Sequence, residues 1–152
     1  MIKSLGYDDI ALVPQYFDGE SRSNLKTSVC FGDKEFAMPV VPANMKCVVD
    51  MSVARDLQAH NYFYVMHRFD NSPIKMLEQM RDESWNCASI SIGVKEEDYK
   101  LVSEIAAKKL SPDFITIDIA HGHCRLMKEI IKYVKHSLPD TFIIAGNIAT
   151  LD

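Results

Sequence analysis

The 152-residue chain is 47% hydrophobic and 25% charged, within the size range of one domain and able, if complete, to bury about two thirds of its unfolded surface. Seventeen basic against 21 acidic residues, scattered in sign, give a net charge of −4 and no cationic stripe of the kind nucleic acid requires. The opening MIKSLGYDDIALVP carries acids where a signal peptide needs an apolar run. No stretch approaches the roughly 18 apolar residues of a membrane span, so the chain reads as cytoplasmic. Cys30, Cys47, Cys87 and Cys124 are far apart and form no CxxC pair, which reads as reduced thiols rather than a disulfide framework.

Residues 1–37 read as an N-terminal β extension without a helix: a short strand over DIALVP, a polar loop FDGESRSNLK and a second short strand over TSVCFG. From Met38 a strand-helix alternation begins. Apolar, β-branched or aromatic runs start near Met38 (MPVV), Tyr62 (YFYVM), Ala88 (ASISIGV), Phe114 (FITIDIA) and Thr141 (TFIIAG). Between them lie amphipathic stretches. A short helix is expected over Ser52 to His60. The next is opened by Asn71-Ser72-Pro73, with serine suited to the N-cap and proline to the first helical position, and carries Ile74, Leu77 and Met80 inward. Glu97 to Leu110 follows, with Val102, Ile105 and Ala106 inward and acids at its front; Ser111-Pro112-Asp113 ends it. Arg125 to Leu138 is the clearest, with Leu126, Met127, Ile130, Ile131 and Val134 on one face.

Strands apolar on nearly every residue and separated by helices indicate a parallel sheet covered on both faces or closed into a barrel. The glycine-rich turn of a doubly wound nucleotide fold, GxGxxG, is absent. The expected fold is therefore α/β, a partial parallel (β/α)8 TIM barrel. Residues 38–152 supply about the first five strand-helix units, the N-terminal portion of a single barrel domain.

The stretch FITIDIAHGHCR, residues 114 to 125, holds Asp118, His121, His123 and Cys124. Three chemistries fit it. His121 and His123, two apart, would share a zinc ion if the strand continued, although Gly122 between them signals a turn. Cys124 with a histidine base such as His121 would make a thiol nucleophile. Asp118, near the carboxyl end of a barrel strand, stands where ligands bind in such folds. The other strand ends also carry polar residues or glycine: Asn44 and Met45, His67 and Arg68, Gly93, and Gly146-Asn147. Together they would form one rim. The loop GESRSN presents Arg22 and two serines, groups suited to an anion, but composition alone favours an exposed solvated loop.

The segments YDDIALVP, MPVVPANMKCVVD, YVMHRF, SISIGV, FITIDIAHGH and IIAGNIAT stand in the order and spacing of the GMP reductases, in the superfamily that includes IMP dehydrogenase. The chain resembles the bacterial-type reductases along essentially its whole length. That resemblance implies a barrel that forms homotetramers and reduces the purine nucleotide GMP to IMP and ammonia with NADPH, in purine salvage. It further implies that Asp118, Ile119 and Ala120 lie beside the nicotinamide, that Ser21, Arg22 and Arg68 contact the NADPH phosphates, and that Ala43, Asn44 and Met45 line the floor under the purine.

The catalytic cysteine of the relatives lies in a loop resembling GPGxVC after the sixth strand, so it is expected beyond residue 152, as are the phosphate grip and the loop for a monovalent cation (K+). The alternatives are an IMP dehydrogenase lacking its inserted regulatory domain and a non-catalytic half-barrel assembly module. HRFDNSPIKMLEQMRDESW joins the second and third strand runs directly, and DIAHG replaces the serines and glutamine usual in the dehydrogenase; both favour the reductase.

Overall fold

A computed structural model describes residues 5–69 and 72–149. Asn71, expected to help open the second helix, and Thr150 to Asp152 lie outside the described residues. After two short 3-10 turns comes a hairpin, β1 (Val29–Phe31) paired antiparallel with β2 (Lys34–Phe36). Gly32 makes its turn at φ +56°, a conformation that an L side chain would strain. Then come α1 (Met51–Ala59), α2 (Pro73–Asp82), β3 (Ser89–Ile92), α3 (Glu96–Ala107), β4 (Phe114–Asp118), α4 (Arg125–Ser137) and β5 (Phe142–Gly146). The strands β3, β4 and β5 form a parallel sheet in that order, with Ser91 opposite Thr116 and Asp118 opposite Gly146.

The four expected helices form within three residues of the proposed ends, and local chemistry explains the starts of α1 and α3. The Asp50 carboxylate accepts the Val53 N–H at 2.8 Å and caps α1. Asp98, in the first turn of α3, accepts from Gly93 N–H and Lys95 N–H, both at 2.8 Å. That ties the carboxyl end of β3 to the helix that follows. Ser72 does precede Pro73 at the start of α2, but its side chain makes no capping bond. In α4, Met127, Ile130 and Val134 are buried as expected, whereas Leu126 is exposed, because the buried stripe is narrower than the apolar one.

Two expected barrel strands do not pair in a ladder. Residues 38–41 are unpaired and Met38, Val40 and Val41 are exposed; Pro39 and Pro42 remove two of the N–H donors a ladder needs. Residues 62–66 are buried from Phe63 onward but are held beside β3 by side chains: Tyr64 Oη donates to the Cys87 carbonyl at 2.7 Å and Ser91 Oγ to the Met66 carbonyl. Apolar runs report burial, and burial is satisfied here without the ladder. In the N-terminal extension, DIALVP is unpaired and exposed, with Leu12 at 99% exposure, while TSVCFG contains β1.

Strand alternation gives the sheet two chemically different faces. Ile90, Ile92, Ile115 and Ile117 lie on one face and are buried with the inner stripes of the helices. On the opposite face stand Ser89, Ser91, Phe114, Thr116 and Asp118. At the amino end of that face, Phe114 contacts Phe63, Phe142 and Phe36 at ring-centroid distances of 4.8, 5.6 and 6.0 Å.

Candidate active site

Asp118 is the last residue of β4, one position past the final β3–β4 pair, Ile92 with Ile117. Beyond it the chain stays bound to the end of β5. Ile119 N–H donates to the Gly146 carbonyl at 2.9 Å, Asn147 N–H to the Ile119 carbonyl at 2.8 Å and Gly122 N–H to the Asn147 carbonyl at 2.7 Å. A Cβ at residue 122 would sit 2.8 Å from the Asn147 carbonyl oxygen, so this approach requires glycine there.

A second segment reaches the same end of the sheet from residues 43–49. Met45 N–H donates to the Ala43 carbonyl at 2.8 Å, and Val48 and Val49 N–H both donate to the Met45 carbonyl, at 2.8 and 3.0 Å. The resulting tight turn is anchored by the fully buried Val49 and leads into α1. A third segment is His67-Arg68-Phe69. His67 is buried, and its Nδ1 accepts the Phe69 N–H at 3.2 Å, so that nitrogen is the unprotonated one in this bond. Arg68 Nε donates to the Asp118 carbonyl at 3.1 Å, and its guanidinium carbon lies 4.5 Å from the Phe69 ring centroid.

The three segments enclose an open, largely apolar hollow of about 630 Å³ lined by Asn44, Met45, Lys46, Cys47, Phe69 and Asp118. Its volume matches small-molecule sites, which combine apolar walls with a few orienting polar groups. Among the described residues, no donor is hydrogen-bonded to the Asp118 carboxylate, which is half-buried and available to a ligand hydroxyl or amide. Asn44, Met45 and Asp118, three of the residues expected from strand ends, are thus brought together on one wall.

The remaining expected residues lie elsewhere or act less directly. Ala43 is exposed at the start of the turn and Ile119 is spent on backbone bonds to β5; neither lines the hollow. Ala120 is exposed. Ser21 and Arg22 are exposed in a short 3-10 turn, where Ser21 Oγ accepts the Ser23 N–H at 3.2 Å, away from the hollow's wall. His121 and His123 are exposed with ring centroids 6.5 Å apart. No group of three or more His, Cys, Asp or Glu placed to hold a metal occurs among the described residues. Cys124 is half-buried against the core at the start of α4 and takes no part in the hollow. Lys46, Cys47 and Phe69 were not anticipated. Each follows within two positions of an expected residue, and the tight turn after Met45 keeps consecutive side chains on one wall, which counting strand ends does not reveal.

Residues 4–152 match the family described as "IMP dehydrogenase / GMP reductase domain". The chain belongs to the IMP dehydrogenase/GMP reductase family. It is 48% identical over 146 residues to a protein named GMP reductase from Oceanobacillus iheyensis, covering 95% of this chain and 44% of that protein. It is 45% identical over 150 residues to the GMP reductase of Helicobacter pylori, covering 98% and 46%. Identity to the GMP reductase of Variovorax paradoxus is 50% over 144 residues, covering 95% and 44%. The crystal structure of inosine 5′-monophosphate dehydrogenase from Legionella pneumophila superposes with a TM-score of 0.78 at 25% identity, over 94% of this chain and 44% of that one. The chain therefore spans about half the length of the family members it matches, and the parallel α/β sheet described above is the corresponding part of that fold.

Proposed function

We propose that the protein carrying this chain is a GMP reductase, which uses NADPH to convert GMP to IMP and ammonia in purine nucleotide salvage. The observation that carries this reading is the hollow that brings Asn44 and Met45 beside Asp118 at the carboxyl end of β4. The names of the similar proteins support it. In this reading the purine rests on Ala43, Asn44 and Met45, and the nicotinamide lies against Asp118, Ile119 and Ala120. Ser21 and Arg22 meet the cofactor phosphates from an exposed loop.

NADPH supplies the hydride; the work of these residues is orientation. A half-buried carboxylate accepts hydrogen bonds from an amide or ribose hydroxyl and so holds the donor carbon close to the purine, where proximity itself lowers the barrier. The catalytic cysteine, the grip on the nucleotide phosphate and a K+ site are assigned to the part of the relatives' length that this chain does not span. The complete protein is a cytoplasmic homotetramer in this proposal.

The deciding experiment uses the protein expressed from its complete reading frame. NADPH oxidation dependent on GMP is the expected result. NAD+ reduction dependent on IMP would make it the dehydrogenase instead, and neither activity would leave the half-barrel assembly module as the surviving reading.

A further inference from the structure

His67, Arg68 and Phe69 connect two parts of the site that no ladder joins. The segment 62–66 has no backbone pairing to β3, and β4 has run past its last β3 partner by the time it reaches Asp118. The Asp118 carbonyl is taken by Arg68 Nε at 3.1 Å across 50 positions of sequence. The arginine is itself oriented twice: its planar group lies over the Phe69 ring, and Phe69 is held by its N–H bond to the buried His67. A guanidinium can donate edge-on through Nε while stacking its face on a ring, which an ammonium cannot imitate.

The resemblance assigns Arg68 to the cofactor phosphates. The geometry points instead to a positioning residue: we propose that Arg68 fixes the end of β4 through the Asp118 backbone and so aims the Asp118 carboxylate into the hollow. The inference rests on the cofactor-facing role proposed for Asp118. Phe69, at the same time, forms part of the hollow's wall, so one three-residue turn shapes the wall and sets the carboxylate.

The test compares Arg68→Lys, Arg68→Ala, Asp118→Ala and the Arg68→Ala/Asp118→Ala double variant in the complete protein. A displacement of about 1 Å can cost about a hundredfold in rate, so both Arg68 variants should lower kcat by about ten- to a hundredfold, and lysine should not rescue. KM for NADPH should change by less than about threefold, with the preference for NADPH over NADH retained, because no phosphate contact is lost. The double variant should be no more than about twofold slower than Asp118→Ala, since Arg68 acts through that residue.

A rise of about tenfold or more in KM for NADPH with KM for NADH unchanged would overturn the proposal in favour of a phosphate ligand, and so would losses that multiply in the double variant. A second arm needs no turnover. In the unliganded protein, Arg68→Ala should speed hydrogen exchange at the Ile119 and Gly122 amides while leaving Ile90 and Ile115 protected; unchanged exchange at Ile119 overturns the clamp. If Arg68→Ala folds poorly, Arg68→Lys reads the same quantities. A wild-type protein that fails to oxidise NADPH with GMP sinks the proposed reaction, and the exchange result still decides the clamp.

Discussion

The two ends of the parallel sheet are built from the same strands and do opposite things. At the amino end, β4 begins with Phe114, 1% exposed among the rings of Phe36, Phe63 and Phe142. Polar links brace that end: Asp113 accepts the Ala88 N–H at 2.7 Å and pairs with Lys34 at 3.0 Å, tying the hairpin to the sheet. At the carboxyl end, the same strand finishes in Asp118, half-buried, its carboxylate facing an open hollow. The five residues of β4 run from a packed plug to a carboxylate on the hollow's wall. The contrast shows how a parallel barrel strand divides its labour, stability at one end and chemistry at the other.

That division can be broken by substitution. Phe114→Ala should have the largest effect, a loss of about 3–5 kcal/mol in denaturant unfolding, because it opens a cavity among the rings of Phe36, Phe63 and Phe142. A loss below about 1 kcal/mol would show that the plug is not what holds the sheet. Asp118→Ala should lower kcat by about a hundredfold while leaving GMP affinity nearly intact and the unfolding midpoint almost unchanged. Wild-type steady-state kinetics would remove Asp118 from the site.

Asp113→Ala strips the Ala88 N–H of its acceptor and Lys34 of its partner. It should cost about 1–2 kcal/mol in stability with kcat preserved, and a selective fall in kcat would mean the two ends are coupled. The smallest effect is expected at Glu83, on the amino side of the sheet after α2. Hydrogen bonds from Arg55, then Gln79 and Trp85, hold its carboxyl down to about 2, below the ordinary 4.5. A depressed carboxylate contributes stability above about pH 4.5 and loses it as the pH falls towards about 2. Glu83→Gln should flatten thermal stability across that window; since Glu83 is exposed and its pair screened by solvent, a steep residual slope would assign the acid limb to other groups.

Two buried groups report the packing of the core. Burial is the main cause that pushes the Cys87 thiol up to about 12, with the Asp113 charge adding to it, and burial likewise raises the Tyr64 phenol. Both favour the neutral form. Cys87 therefore serves as a core side chain, while Cys47, exposed on the hollow's wall, is the thiol nearest the candidate chemistry.

Periodicity and strand-end chemistry made much of this molecule legible beforehand. The positions of the four helices follow from apolar spacing and end signals, and Asn44, Met45 and Asp118 follow from asking which residues close the apolar runs, although only Asp118 ends a paired strand. The segments MPVV and YFYVM show where such reasoning stops. Apolar runs specify that side chains leave water, but a ladder also needs free donors and a partner in register; Pro39 and Pro42 remove two donors in and beside the first segment, and side-chain bonds hold the second without a ladder. Lys46 and Cys47 were hidden for a related reason, since the tight turn after Met45, rather than strand alternation, decides which way they face.

By itself, then, the order of residues determined the α/β class, the helices, the family and the carboxylate at the end of FITID, because local spacing and short motifs act over one or two turns of chain. Only the tertiary structure decided that Arg68 grips the Asp118 backbone, that Phe69 walls the hollow and that Ser21 and Arg22 stand apart from it. Those facts depend on hydrogen bonds and contacts between residues tens of positions apart, whose geometry no local pattern encodes.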